Sequence, residues 1–194
     1  MKKSLAIIII TLLIIGAISS LVKNDTFKKE VKKVISVPAQ PIQVSDGYKN
    51  ATYTIDGDLI TLKDGLAETE VTPGSASKIN TRYFGNEVRL DLDGDGTQDI
   101  VFLLTQESSG TGIFYYAVAA LNTNNGWLGS RAFFIGDRIA PQSTGITDDN
   151  FIIVNYADRA ATDGFATEPT IGRSLKLSFD LQNMEFTEAN NVTN

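Results

Sequence analysis

The chain has 194 residues, of which 42% are hydrophobic, enough for one folded domain with a buried core. It contains no cysteine and no histidine, which excludes disulfides, thiolate metal sites and catalysis by either side chain. The net charge is −6, but residues 1–46 carry seven lysines against three carboxylates, whereas residues 47–194 carry ten basic and twenty acidic side chains. An acidic folded part argues against a nucleic-acid partner.

The N-terminal segment is predicted to direct export. Met1 is followed by two lysines, and residues 5–22 form an 18-residue stretch that is almost wholly apolar and uncharged. That length is at the lower end of what spans a bilayer, and the lysines place the N-terminus inside. Residues 1–22 are therefore predicted to be a hydrophobic helix that anchors an exported protein in the membrane. The alternative is a signal peptide cleaved near Ser19, which would release a secreted or periplasmic domain.

Residues 23–46 are predicted to be a basic juxtamembrane linker. Phe27, Val31 and Val34 recur at helical spacing among lysines, a pattern typical of a short amphipathic helix at a lipid surface. A solvated tether fits the same residues. Pro38 and Pro41 then end any such helix and favour extended chain up to the start of the folded domain.

The folded domain is predicted to span residues 47–190 and to be all-β, followed by a disordered tail at 191–194. Apolar runs at 100–104 and 113–121 are rich in β-branched and aromatic residues, as in central strands covered on both faces. Roughly eight to ten short strands, without a long amphipathic helix, indicate an antiparallel sandwich or a curled sheet. The tight turns are predicted at Asp56-Gly57, Asp64-Gly65, Asn125-Gly126 and Gln182-Asn183. Further strands are predicted at 127–135, 151–156, 175–181 and 184–187.

One loop, residues 91–99, carries a metal-binding pattern. Aspartates occupy its positions 1, 3, 5 and 9, a glycine occupies position 6, and an apolar strand follows. Calcium takes six to eight oxygen ligands in flexible geometry, which alternating carboxylates on a tightly turned loop can supply. Magnesium, or a merely acidic surface turn, is the alternative. The predicted Ca²⁺ ligands are four carboxylates and one backbone carbonyl: Asp91, Asp93, Asp95, Thr97 and Asp99.

The spacing of this loop separates it from the EF-hand, which needs a glutamate at position 12, where this chain has Phe102. It resembles instead the calcium loops of FG-GAP repeats in integrin-type β-propellers, which read D-x-D-x-D-G-x-x-D and lead into a strand. The resemblance covers Asp91 to Thr105 and implies a bound calcium ion. It does not imply a propeller, because that fold needs several blades and the sequence holds one copy of the motif.

A wider region, from Tyr83 to Arg159, resembles a domain of uncharacterised exported bacterial proteins. That resemblance implies export but no activity. The stretches that carry it are residues 83–87, 91–106, 114–116, 136–142 and 154–159.

Two acid–base doublets, Asp137-Arg138 and Asp158-Arg159, each follow an apolar strand. They are predicted to be ion pairs that fix loops, and a shared polar site is the alternative. Aromatic residues could similarly pack in the core or form a binding face, and core packing is the more frequent use. These aromatic residues are Phe114, Tyr115, Tyr116 and Trp127.

These features together predict a non-enzymatic module of the cell envelope that is exported and stabilised by calcium. Its role would be binding or structural, with the membrane as one partner through the N-terminal segment and an envelope protein or glycan as another. A hydrolase acting through carboxylates is the alternative, although its catalytic pair cannot be chosen from sequence. A purely structural domain is a third interpretation.

Overall fold

The computed structural model describes residues 46–189, so the predicted N-terminal helix, most of the linker and the tail at 191–194 lie outside the described residues. A helix able to span a bilayer is not found among these described residues. The range contains one 3-10 helix and twelve strands, more strands than the sequence predicted. In chain order they are the 3-10 helix Asp46–Asn50, β1 Thr52–Ile55, β2 Asp58–Thr61, β3 Leu66–Glu70, β4 Lys78–Leu90, β5 Asp99–Glu107, β6 Ile113–Thr123, β7 Gly126–Gly129, β8 Phe133–Asp137, β9 Ala140–Ile146, β10 Ile152–Asp158, β11 Ile171–Asp180 and β12 Glu185–Glu188.

The strands form three antiparallel groups. Strands β1 and β2 make a hairpin, and the order β3-β4-β5-β6-β7 makes the largest sheet, in which β8 also pairs with β6. The third group is a four-stranded sheet of order β12-β11-β10-β9. The predicted all-β class with antiparallel pairing is therefore confirmed for the described residues.

Strands β5 and β6 are central and are covered on both faces, as the sequence predicted. Successive side chains of a strand point to opposite faces, so β5 contributes to two cores. Phe102, on one face, packs with the β1–β2 hairpin and the 3-10 helix. Leu103, on the other face, packs against Val154 and Leu177 of the four-stranded sheet. All four side chains are fully buried, and such burial is the main force that stabilises the fold.

The turn of the β1–β2 hairpin and the turn between β2 and β3 follow the local chemistry of the sequence. Asp56 and Gly57 have φ angles of 51° and 96°, and Asp64 and Gly65 have φ angles of 51° and 82°. Tight hairpin turns that match the twist of the strands need positive φ at both central residues, which Asp-Gly supplies. Both predicted turns are confirmed.

The single strand predicted at 127–135 is wrong, because the chain leaves the ladder between β7 and β8. Both strands pair with β6, but at separate stretches of it. The backbone N–H groups of the intervening residues donate instead to three different segments: Ser130 to Ala119 at 2.9 Å, Arg131 to Met184 at 2.7 Å and Ala132 to Thr54 at 2.8 Å. The interruption therefore ties the β1–β2 hairpin and the turn before β12 to the largest sheet.

Candidate metal centre

The aspartate-rich loop connects β4 to β5, at the end where the central strand begins. Gly94 and Gly96 adopt φ angles of 78° and 85°, a region that glycine enters without the steric cost borne by other residues. The glycine at loop position 6 therefore permits the sharp turn that the sequence pattern requires.

Carboxylates of this loop accept hydrogen bonds from the loop's own backbone. Asp91 Oδ1 accepts from the N–H of Gly94 at 2.7 Å, and its Oδ2 accepts from the N–H of Gly96 at 3.0 Å. Asp93 Oδ1 accepts from the N–H of Asp95 at 3.1 Å. These bonds wrap the chain around the first aspartate and fix the loop locally.

Three of the four predicted acidic ligands come together. Asp91, Asp93 and Asp99 each place a carboxylate oxygen within 4.8 Å of the other two. Asp95 is outside this group, and its Oδ1 accepts from both the backbone N–H of Thr97 at 2.7 Å and the Thr97 hydroxyl at 2.6 Å. Those bonds hold the pKa of Asp95 below its usual value.

Asp99 differs from the other loop aspartates in being fully buried. Its Oδ2 accepts from the N–H of Leu92 at 2.8 Å, and its Oδ1 accepts from the N–H of Asn122 at 2.8 Å. Burial raises the pKa of Asp99, those two bonds oppose the rise, and the nearby charges of Asp93 and Asp95 add to it. A cation beside Asp99 would favour its ionised form.

The donor set of this candidate centre consists of hard carboxylate oxygens, the ligands preferred by Ca²⁺ and Mg²⁺. Asp91 and Asp93 are exposed, so an ion could reach them from solvent, while buried Asp99 closes the inner side. A cleft of about 290 Å³ adjoins the loop. It is lined by Leu90, Asp91, Leu92, Asn150, Ser178 and Phe179.

The two acid–base doublets meet at the other end of the domain. Arg138 pairs with Asp137, with Nη2 2.5 Å from Oδ2, which confirms the predicted ion pair. For the second doublet the predicted ion pair is wrong. Asp158 Oδ1 accepts from the backbone N–H of Arg159 at 2.8 Å. The Arg159 guanidinium instead donates to the backbone carbonyls of Arg138, at 2.6 Å, and Thr167.

A carboxylate held by two tyrosines was not found from the sequence. Glu87 Oε1 accepts from the Tyr48 hydroxyl at 2.5 Å and also from the Tyr83 hydroxyl. Glu87 lies in a bulge of β4, where Gly85 and Asn86 both have positive φ. The Gly-Asn pair inside a strand pattern was the signal available, because such residues mark bulges.

The aromatic residues considered for a binding face pack mainly in the core. Tyr116 is 4% exposed and Trp127 packs against the core on the hairpin side, with its ring centroid 5.5 Å from that of Tyr48. Phe114 packs against the same core. Core packing therefore accounts for these three residues.

Comparison of the chain with protein-family models, with curated proteins and with solved structures gave no match. The FG-GAP-like assignment of the loop therefore stays a prediction from its motif.

Proposed function

We propose that this chain is an exported module of the cell envelope in which a calcium ion, held by the β4–β5 loop, stabilises a β domain of sandwich type. Its role is binding or structural rather than catalytic. The observation that carries the proposal is the convergence of Asp91, Asp93 and Asp99, whose carboxylate oxygens lie within 4.8 Å of one another.

The electrostatics of the loop favour an added cation. Carboxylates this close repel one another when ionised, and burial further disfavours the charged form of Asp99. A divalent ion would offset both the repulsion between the carboxylates and the cost of burying the charge of Asp99. Because Ca²⁺ accepts irregular arrangements of carboxylate oxygens, it suits the site better than Mg²⁺, which demands stricter octahedral geometry.

The position of the loop explains how an ion would stabilise the domain. Asp99 is the first residue of β5, and both Asp99 and Thr97 contact the backbone of Asn122 on β6, with Thr97 Oγ1 3.1 Å from the Asn122 carbonyl oxygen. The ion would therefore pin the start of β5 and the end of β6, the two central strands. With the Kd of about 10⁻⁴ to 10⁻³ M typical of extracellular modules, calcium at ten times Kd would add about 1.4 kcal/mol to the free energy of unfolding.

Export and tethering rest on the N-terminal apolar segment with its flanking lysines. In this proposal that segment anchors the domain in the membrane, and the acidic domain faces an envelope protein or glycan. The intact mass of the protein purified from membranes tests the anchor. Loss of about the first 19 residues would show cleavage as for a signal peptide.

Thermal unfolding of the full chain in detergent tests the calcium site. We expect millimolar calcium to raise the Tm by several degrees over chelator, and equimolar magnesium to raise it less. Asp93→Ala should abolish the calcium-dependent shift, whereas Asp58→Asn, an exposed aspartate of β2, should retain it. An equal Tm in calcium and in chelator for the unmodified chain would refute the calcium assignment.

A further inference from the structure

The connection between β10 and β11 has few apolar anchors. Residues 161–168 within it are all exposed. The loop nevertheless has internal order, since Ala160 N donates to Asp163 Oδ2 at 3.0 Å and Thr167 N donates to the Gly164 carbonyl at 2.9 Å. A folded segment with little buried apolar surface has a low free energy of local opening.

Arg138 holds this loop from the neighbouring β8–β9 turn. Its guanidinium lies 3.9 Å from the centroid of the Phe165 ring, and Phe165 is 68% exposed. The same guanidinium is oriented by Asp137, which accepts from Nε at 3.0 Å and from Nη2 at 2.5 Å. A cation over an aromatic face attracts it, so Arg138 draws Phe165 toward the domain.

The backbone of Arg138 is equally constrained. Its φ is 52°, a conformation uncommon for residues other than glycine, asparagine and aspartate. Its N–H donates to the Ile113 carbonyl at 2.7 Å, and its carbonyl accepts from Arg159 Nη1 at 2.6 Å. Because Arg159 also donates to the carbonyl of Thr167, the two arginines join the start of β6, the β8–β9 turn and the β10–β11 loop.

We propose that Arg138 and Arg159 form a clasp, and that residues 160–170 are a latch which opens as a unit while the sheets stay folded. The clasp bonds reach the latch through charged side chains, so they can release without loss of either hydrophobic core. The latch lies at the Ile113 end of the central strands, whereas the candidate metal centre lies at the Asp99 end. Latch opening is therefore independent of cation binding and does not rest on the proposed function.

Limited proteolysis of the full chain with chymotrypsin tests the latch, because Phe165 becomes a cleavable site when the segment opens. When opening and closing are fast, the cleavage rate follows the population of the open form. We expect Arg138→Met and Arg159→Met each to speed cleavage after Phe165 by about tenfold, the effect of a loss near 1.4 kcal/mol in the closed form. Arg82→Met, at an exposed arginine of β4, is the control and should cleave like the unmodified chain.

Two results of the proteolysis would overturn the proposal. The first is cleavage of the Arg138 and Arg159 variants no faster than that of the control. The second is cleavage of the unmodified chain with the same urea dependence as global unfolding, since the latch would then open only with the sheets. Hydrogen exchange of the unmodified chain is independent of variant folding. The amides of Asp163 and Thr167 should exchange faster than those of Ile152 and Val154 in β10, and equal rates would contradict a separate latch.

Discussion

Asp99 and Asn122 are joined by a hydrogen bond of 2.8 Å between the Asp99 carboxylate and the Asn122 backbone N–H. The bond ties the first residue of β5 to the end of β6, across the two strands on which both cores depend. Since Asp99 also accepts from Leu92 N, one buried side chain fixes the loop, the start of one strand and the end of the next.

Replacement of Asp99 should destabilise the domain even without a cation. In Asp99→Asn one oxygen remains to accept, and the new amide group would face a backbone N–H donor that is left unsatisfied. A buried donor without a partner costs about 1–3 kcal/mol. Urea unfolding in the presence of chelator measures this loss in the free energy of unfolding.

Asp91→Asn is the matched control, since it removes the same charge from the same loop. Asp91 is exposed, so water can replace the lost acceptor and the destabilisation should be smaller. Equal losses for the two variants would mean that burial of Asp99 does not determine its role.

The domain should lose stability in acid as Glu87 becomes protonated. Burial alone would raise the pKa of Glu87, but hydrogen bonds from Tyr48 and Tyr83, with the charges of Arg89 and Lys49, hold it below its usual value of 4.5. A carboxyl whose pKa is lower in the folded state stabilises the fold above its unfolded pKa, and that contribution disappears as pH falls through the folded pKa. Stability should therefore fall from about pH 5 downward.

The urea midpoint of Glu87→Gln, measured from pH 7 to pH 3, isolates this contribution. The variant should be less stable than the unmodified chain at pH 7 and approach it at pH 3, because the glutamine does not titrate. Glu168→Gln, at an exposed glutamate of the latch, should keep the unmodified pH dependence. Parallel curves for Glu87→Gln and the unmodified chain would assign the acid sensitivity to other groups.

Gly129, at the end of β7, should not tolerate a side chain. An added Cβ would lie 2.2 Å from the carbonyl oxygen of Thr52 and 2.8 Å from Cδ1 of Tyr53. The first of these is backbone of the β1–β2 hairpin, so the hairpin itself would have to shift. Overpacking of this kind costs about 1–3 kcal/mol, and Gly129→Ala should lower the Tm by several degrees.

Gly145→Ala is the control for this substitution, because its added Cβ meets no atom within 4 Å and Gly145 also lies in a strand. Its Tm should stay close to that of the unmodified chain. If Gly129→Ala were as stable as this control, β7 would not pack against the hairpin as closely as described.

The sequence predicted the features of the fold that depend on neighbouring residues. Asp56-Gly57 and Asp64-Gly65 encode their turns because glycine and aspartate accept positive φ. The apolar run that begins at Ile100 indicated a strand covered on both faces, because a strand with one wet face alternates. The acidic loop and its glycine were likewise predicted from the spacing of neighbouring residues.

Other features depend on contacts between residues far apart in the chain. The break at Ser130 follows from a partner in β6, where the Ser130 hydroxyl accepts from the Ala119 N–H at 2.8 Å. Asp95 matches the motif as well as Asp93 does, yet its carboxylate bonds to Thr97 instead of joining the cluster. Neither outcome has a signal in the local pattern of residue types.

The 3-10 helix at the start of the described chain has a mechanical consequence. Tyr48 is 1% exposed, bonds to Glu87 and packs its ring 5.4 Å from that of Phe102. Tension applied at Asp46 would thus be transmitted within two residues to a side chain embedded beside the central strands. Unfolding from this end would require an aromatic ring to leave the core, which costs more than separating an exposed edge strand from a sheet.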